Sequence, residues 1–134
     1  MIKGIWNYTI KAKDVEATTQ FYLDHMAGEL KQSGVVLGSQ YRLIRMGQTL
    51  MIVMDKAPYE DQWGWNLPYG FLHIVYEVTD HDKHVEMLRQ GGAKFLYEPT
   101  VIETDWDTRK IAFFEYPEGA RTEIMQILKE KEPV

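Results

Sequence analysis

A histidine and a glutamate in two alternating, apolar segments are the residues best suited to do chemistry. His73 alternates with the apolar Ile74 and Tyr76, so within a strand it faces away from the apolar set that is expected to contact the helices. Glu123 lies in the last apolar segment, on the same strand face as Arg121. An imidazole and a carboxylate that face a common concave sheet surface could bind a divalent metal ion, and either could act as a catalytic base.

Both residues also have structural interpretations, which the sequence leaves open. His73 could be a hydrogen-bonded histidine within the sheet that contacts no ligand. Glu123 could form an ion pair with Arg121 or with Lys11 on a half-open face. The residue types therefore indicate a candidate site without deciding its chemistry.

Aromatic residues are concentrated in the segment 55–70, which is long for a plain connection and is predicted to be a functional or packing loop. Its indoles could cover the core, or they could form a lid that stacks on a planar ligand. Trp106, in a later loop, could supply the opposing wall of a pocket. We favour a ligand role for at least one of these tryptophans, and the candidate ligand-binding set is Trp63, Trp65, Tyr69, Trp106, Phe113 and Arg121.

The elements that position these residues form a weak internal repeat. Trp6–Asp14 and Leu72–Asp80 both alternate and are rich in β-branched and aromatic residues, so both are predicted strands. A helical segment follows each, to about residues 27 and 90, with Asp14 and Asp80 in the N-cap positions. Three further strands are predicted in each half, around 34–37, 41–46 and 48–54, and then around 94–97, 110–115 and 121–128.

The two predicted helices differ in the residue types on their faces, which are apolar residues on the first and a pair of histidines on the second. The predicted apolar face of the first helix comprises Val15, Phe21, Tyr22 and Met26. On the second helix, His81 and His84 are three residues apart, a spacing that could suit a metal, but a solvated helix face is favoured. The charged tail 129–134 is predicted to be frayed.

The segments Asp14–Tyr22, Phe71–Asp80 and Phe113–Gln126 resemble the vicinal oxygen chelate superfamily, which includes glyoxalases, bleomycin-resistance proteins and extradiol dioxygenases. The resemblance covers nearly the whole chain. It implies an α+β fold of two βαβββ modules, whose curved mixed sheets form a cup with the helices on the outer face, and it implies a homodimer. We expect one domain over 1–134, with module 1 at about 1–57, an aromatic linker at 58–70 and module 2 at about 71–128.

The resemblance also implies metal ligands on the first and last strands of each module. His73 and Glu123 match the pair of the second module. In the first module Asn7 stands where the family usually has histidine, and its amide oxygen is a weaker ligand for a transition metal. The candidate metal ligands are thus His73, Glu123 and Asn7, and the implied ion is Fe, Mn, Ni, Co or Zn.

The fourth ligand position implied by the resemblance is not filled by a residue that can coordinate. It falls near Leu50 or Ile52, and Gln48 could replace them only if the strand register were shifted. Because Asn7 replaces one histidine, iron dioxygenase chemistry is disfavoured. Two hypotheses stay open: a small-molecule enzyme of the lyase, isomerase or dioxygenase type that could depend on a metal, and a metal-free protein that binds or sequesters a ligand, such as a drug, in the same pocket.

Composition excludes several other classes of function. The chain has 134 residues with a net charge of −5, so nucleic acid is a disfavoured partner. It contains no cysteine, which excludes disulfides, zinc–thiolate sites and cysteine nucleophiles. No apolar run is long enough to span a membrane and no signal peptide is evident, so we expect a cytoplasmic protein with a small organic ligand and no membrane partner.

Overall fold

The computed structural model describes residues 1–132, which form eight strands and three helices. In chain order these are β1 (Ile2–Lys11), α1 (Val15–His25), β2 (Glu29–Val36), β3 (Ser39–Met46), β4 (Thr49–Met54), α2 (Pro58–Trp63), β5 (Gly70–Val78), α3 (His81–Gln90), β6 (Lys94–Glu103), β7 (Asp107–Glu115) and β8 (Arg121–Glu130). The predicted order of strand, helix and three strands therefore occurs twice, and the α+β fold class is confirmed.

The chain divides into two compact units. The first unit is Trp6–His73, and the second unit is Met1–Ile5 together with the chain from Ile74 onward. The boundaries fall within β1 and β5, so each of these strands contributes residues to both units.

In the first unit the strands lie in the order β2, β3, β4, β1. β1 pairs with β4 in parallel, with Tyr8 opposite Met51, while β3 pairs with β2 and with β4 in antiparallel fashion. One face of this mixed sheet packs against α1 through a core that includes Val15, Ile44 and Met51. Strand alternation places Asn7, Thr9 and Lys11 on the opposite face, and all three are buried.

In the second unit the order is β5, β8, β7, β6. β5 pairs with β8 in parallel and the other two pairs are antiparallel, which repeats the pairing of the first unit. α3 packs against one face through a core that includes Val78, Val85 and Ile124. Glu123 and Phe113 lie opposite each other in register on the other face.

Both predicted helix N-caps are confirmed. The Asp14 carboxylate accepts a hydrogen bond from the amide of Ala17 at 2.9 Å, and the Asp80 carboxylate accepts one from the amide of Lys83 at 3.1 Å. Each carboxylate thus satisfies an amide that has no partner within its helix and carries negative charge near the positive end of the helix.

The predicted apolar face of α1 was wrong at two positions. Phe21 and Met26 are 55% and 52% exposed, while Val15 and Thr19 are buried and Tyr22 packs against the core. Residues four and seven positions after Val15 share its face of the helix, whereas Phe21, six positions after it, lies on another face.

Two segments predicted to be irregular are ordered. Residues Pro58–Trp63 of the predicted loop form α2, which starts with Pro58 at its first turn and ends at Gly64 in the left-handed conformation, with φ of 68°. Lys129 and Glu130, predicted to be frayed, belong to β8, while Pro133 and Val134 lie outside the described residues.

Candidate functional site

His73 is a buried imidazole near the end of the first unit. Its side chain is 2% exposed, and its Nδ1 lies 3.2 Å from the hydroxyl of Tyr59, which is fully buried. The two rings are 5.7 Å apart at an interplanar angle of 52°. A residue of α2 therefore orients the ring of His73, and the sequence analysis did not identify Tyr59 as part of the site.

Asn7 carries an unsatisfied acceptor within the same unit. It is 2% exposed, and its Nδ2 donates to the Tyr8 carbonyl and to Thr9 Oγ1, both at 3.1 Å. Its Oδ1 is buried and has no hydrogen-bond partner among the described residues. Leaving such an acceptor unsatisfied costs about 1–3 kcal/mol, so a ligand donor or a cation at this oxygen would recover stability.

Lys11 and Glu60 form a buried ion pair that the sequence analysis missed. Their side chains are 6% and 4% exposed, and Nζ lies 2.9 Å from Glu60 Oε2. Nζ also donates to the Leu67 carbonyl at 2.7 Å and lies 3.4 Å from Asn66 Oδ1. The sequence had offered Glu123 as a partner for Lys11, whereas the partner that the structure shows is Glu60.

The aromatic residues of the segment 55–70 pack on one another. Trp63 and Trp65 have ring centroids 5.9 Å apart, and Trp65 meets Tyr59 edge to face at 6.2 Å. Tyr69 is 61% exposed, and its ring lies 5.3 Å from Lys11 Nζ. The two indoles are partly buried, so each retains surface on which a ligand could stack, and the ligand role stays a prediction.

Glu123 is the acidic candidate of the second unit. It is 9% exposed and lies in register between Val75 of β5 and Phe113 of β7. Phe113 is itself buried, with the ring of Tyr97 edge to face at 6.2 Å. Arg121 is half-buried, and its Nε has no hydrogen-bond partner among the described residues, which makes this nitrogen a candidate donor to an acidic ligand.

Trp106 lies just before β7 and is only 8% exposed, so it presents less surface than the sequence analysis expected of a pocket wall. Its carbonyl accepts hydrogen bonds from the amides of Lys131 and Glu132. The next residue, Asp107, forms a buried bidentate ion pair with Arg109, at 2.8 and 2.7 Å. This pair was also missed, and it fixes the start of β7.

The candidate metal ligands are of suitable types but do not form an acidic or histidine-rich cluster. Within residues 1–132 no group of three or more His, Cys, Asp and Glu side chains is placed to hold a metal ion. At the implied fourth position Leu50 is buried and β4 begins at Thr49, so Gln48 lies in the exposed turn before the strand. The register shift that would have moved Gln48 into the site is absent.

His81 was expected on a solvated helix face, and this was wrong. It is 1% exposed, with Nε2 3.1 Å from the Ile124 carbonyl, and burial lowers the pKa of its imidazole. His84 is only partly buried and its Nε2 lies 2.9 Å from the amino group of Met1. Each histidine therefore has its own structural contact on α3.

Among residues 1–132, no helix has the length and apolar character needed to cross a bilayer.

A family model described as "Glyoxalase/Bleomycin resistance protein/Dioxygenase superfamily" matches residues 4–124. A protein of Synechocystis sp. named "Probable lactoylglutathione lyase" is 26% identical over 126 residues, which cover 92% of this chain and 95% of that protein. A solved methylmalonyl-CoA epimerase in complex with methylmalonyl-CoA aligns with a TM-score of 0.78 at 20% identity, covering 99% of this chain and 100% of that one. The methylmalonyl-CoA epimerase of Mycobacterium tuberculosis aligns at 0.71 and 19% identity, covering 94% and 89%.

Proposed function

Because the chain belongs to the Glyoxalase/Bleomycin resistance protein/Dioxygenase superfamily, we propose that it is an enzyme that acts on a small organic molecule, with His73 and Glu123 as its acid–base residues or metal ligands. The observation that carries the proposal is His73, a buried imidazole whose Nδ1 lies 3.2 Å from the hydroxyl of Tyr59. Such a ring is oriented before any ligand arrives, which is what proton transfer or metal binding requires.

Asn7 supports a role in binding for the sheet face opposite α1. The amide of Thr79 donates to the Met1 carbonyl, and Lys3 pairs with Glu77 at 3.2 Å, which shows that β1 and β5 run antiparallel in the second unit. If that register continues along both strands, Asn7 lies opposite His73 in the first unit. We therefore expect the unsatisfied Oδ1 of Asn7 and the ring of His73 to serve the same ligand.

We propose a lyase or isomerase reaction that begins with loss of a proton from a carbon next to a carbonyl group. The relatives named above are a lyase and an epimerase. His73 or Glu123 would take the proton, and the buried surroundings of both residues would exclude water from the reacting carbon. Replacement of a histidine by Asn7 argues against the dioxygenase option.

A divalent ion fits the chemistry of the two donors that the first unit supplies, an imidazole and an amide oxygen. His73 and Asn7 would hold it, and the hydroxyl of Tyr59 at Nδ1 is the kind of outer contact that orients a histidine ligand. A bound ion of this kind stabilises negative charge that develops on the substrate oxygens. The expected homodimer and cytoplasmic location rest on the resemblance and on the sequence, and light scattering of the purified chain tests the former.

The test combines metal analysis with a proton-exchange assay. Untagged protein is analysed for Fe, Mn, Ni, Co and Zn before and after chelation, and then incubated in D₂O with glutathione hemithioacetals and with 2-substituted malonyl thioesters. We expect deuterium to enter the α-carbon of one class, and His73→Gln and Glu123→Gln each to slow this exchange about 100-fold. Glu77→Gln, on the same strand as His73 but paired with the exposed Lys3, is the control that keeps wild-type exchange.

Unchanged exchange in both variants would contradict the proposed roles. Absence of exchange with either class, in a protein whose tryptophan fluorescence is quenched by planar apolar compounds, would instead favour a protein that only binds or sequesters a ligand. A metal that is retained at near-stoichiometric level in His73→Gln would show that His73 is not a ligand.

A further inference from the structure

Arg121, at the start of β8, is a half-buried cation with an unsatisfied donor. Its Nε is buried and makes no hydrogen bond within residues 1–132. Glu115 of β7 lies opposite it in register, on the same face of the sheet, but the Glu115 carboxylate does not accept from Nε. Because a buried donor on a charged group is costly to leave without an acceptor, an acceptor supplied by a ligand would be favourable at this nitrogen.

Arg109 shows how an arginine on the same face of the second unit is satisfied within the chain. Its Nε and Nη2 donate to the two carboxylate oxygens of Asp107 at 2.8 and 2.7 Å, and both side chains are buried. Arg121 has the same fork of donors, but no carboxylate of the described residues accepts from its Nε. A ligand could therefore supply to Arg121 the acidic group that Asp107 supplies to Arg109.

The same face is apolar around Glu123. Phe113 lies opposite Glu123 in register and is buried, and Met125, the next residue of β8 on this face, is fully buried. The Glu123 carboxylate and the net charge of −5 both repel an anionic ligand. A negatively charged group beside Glu123 therefore needs a cation to face it, and Arg121, two residues away on β8, supplies one.

We propose that Arg121 binds an acidic group of the substrate, so that the substrate is a small organic acid or a phosphate ester. The guanidinium edge that carries Nε–H and one Nη–H matches two oxygens of a carboxylate or a phosphate. Residues two apart on one face of a strand are separated by about 7 Å, so one small molecule can reach both Arg121 and Glu123. This inference rests on the proposed function, and it adds the class of substrate and the residue that selects it.

The experiment is ¹H–¹⁵N NMR of the arginine Nε–H groups at constant ionic strength, which observes the proposed donor directly. The chain has five arginines, and each signal is assigned through its bonds to the backbone, so the wild type alone is sufficient. The probes are malonate, inorganic phosphate and the neutral malonamide. We expect malonate or phosphate to shift the Arg121 signal saturably and malonamide to leave it unchanged, and the two anions distinguish a carboxylate site from a phosphate site. The Arg109 signal should stay in place, because Asp107 already accepts from it.

Arg121→Gln removes the fork of donors, and we expect the anion that shifts the wild-type signal to bind about 10- to 100-fold more weakly in calorimetry. Arg89→Gln is the matched control, because Arg89 lies in the same unit and pairs with the exposed Glu98. This control should bind the anion as the wild type does.

An Arg121 signal that neither anion shifts, or that shifts only together with the signal of the exposed Arg89, would overturn the inference. Equal anion affinity in Arg121→Gln and in the wild type would also overturn it. Because no turnover is measured, the exchange assay can fail while anion binding persists, or succeed while anion binding is absent. Failure of the proposed function and failure of this inference are therefore separate results.

Discussion

Replacement of Lys11 by methionine is expected to destabilise the chain strongly, because it leaves the Glu60 carboxylate buried without its cation. The side chains of Lys11 and Glu60 are 6% and 4% exposed, and methionine fills a similar volume without a charge. The Glu60 carboxylate would keep its hydrogen bonds from the amides of Ala57 and Leu67, so part of its solvation survives.

The magnitude follows from the burial of the pair. Removing one member of a buried ion pair typically costs about 3–5 kcal/mol. A chain of 134 residues has an unfolding entropy of roughly 0.28 kcal/mol/K at Tm, so this loss corresponds to a decrease of about 11–18 °C in Tm. A loss of about 3–5 kcal/mol is a large part of the unfolding free energy of a typical domain, which is roughly 5–15 kcal/mol.

The assay is urea unfolding followed by tryptophan fluorescence, with calorimetry for Tm. Lys56→Met is the matched control. Lys56 pairs with Asp61, which lies next to Glu60 in α2, but the side chains of this pair are partly or largely exposed. We expect the control to lose much less stability than Lys11→Met, because an exposed ion pair is screened by water and contributes little. The double variant Lys11→Met/Glu60→Met should regain most of the stability that Lys11→Met loses, since no unpaired charge is then buried.

A loss for Lys11→Met no larger than that for Lys56→Met would refute the reasoning, because it would show that water reaches Glu60 in the folded chain. A double variant as unstable as Lys11→Met would refute the role of the unpaired charge. The loss would then come from the missing hydrogen bond between Nζ and the Leu67 carbonyl and from changed packing.

Two further predictions concern stability. Gly28→Ala should lose about 1–3 kcal/mol of unfolding free energy in urea, because a Cβ at Gly28 would lie 2.9 Å from Ile44 Cγ2 and equally close to a backbone carbonyl oxygen. Gly91→Ala is the control, because its Cβ would make only ordinary contacts, from 3.5 Å, and equal losses in the two variants would contradict the steric argument. Burial lowers the pKa of His81 in the folded chain below its unfolded value of about 6.5. As the pH drops from about 7 towards 5, the unfolded chain therefore takes up a proton on His81 more readily than the folded chain does, and the free energy of unfolding should fall. His81→Gln should flatten this dependence while the exposed His25→Gln should not, and an unchanged slope in His81→Gln would contradict the assignment.

The parts of the fold that the sequence predicted depend on local pattern. Alternation separated His73 from the apolar face of its strand, and the structure confirms that Tyr76 and Val78 pack on the side of α3. Asp14 and Asp80 were predicted as N-caps because a cap is formed by residues three apart in the chain. α2 also had a local signal, Pro58 before an acidic turn and Gly64 after it, which the density of aromatic residues concealed.

The sequence by itself determined the two βαβββ modules, the family and the residue types of the candidate site, because strand period, caps and turns are encoded by neighbouring residues. Only the tertiary structure decided which groups meet. Lys11 pairs with a glutamate 49 residues away, and Tyr59 contacts His73 from another element. No period or spacing encodes such contacts, since they depend on how helix and sheet pack together. Burial of His81 is decided in the same way, because the carbonyl that its ring contacts lies in β8.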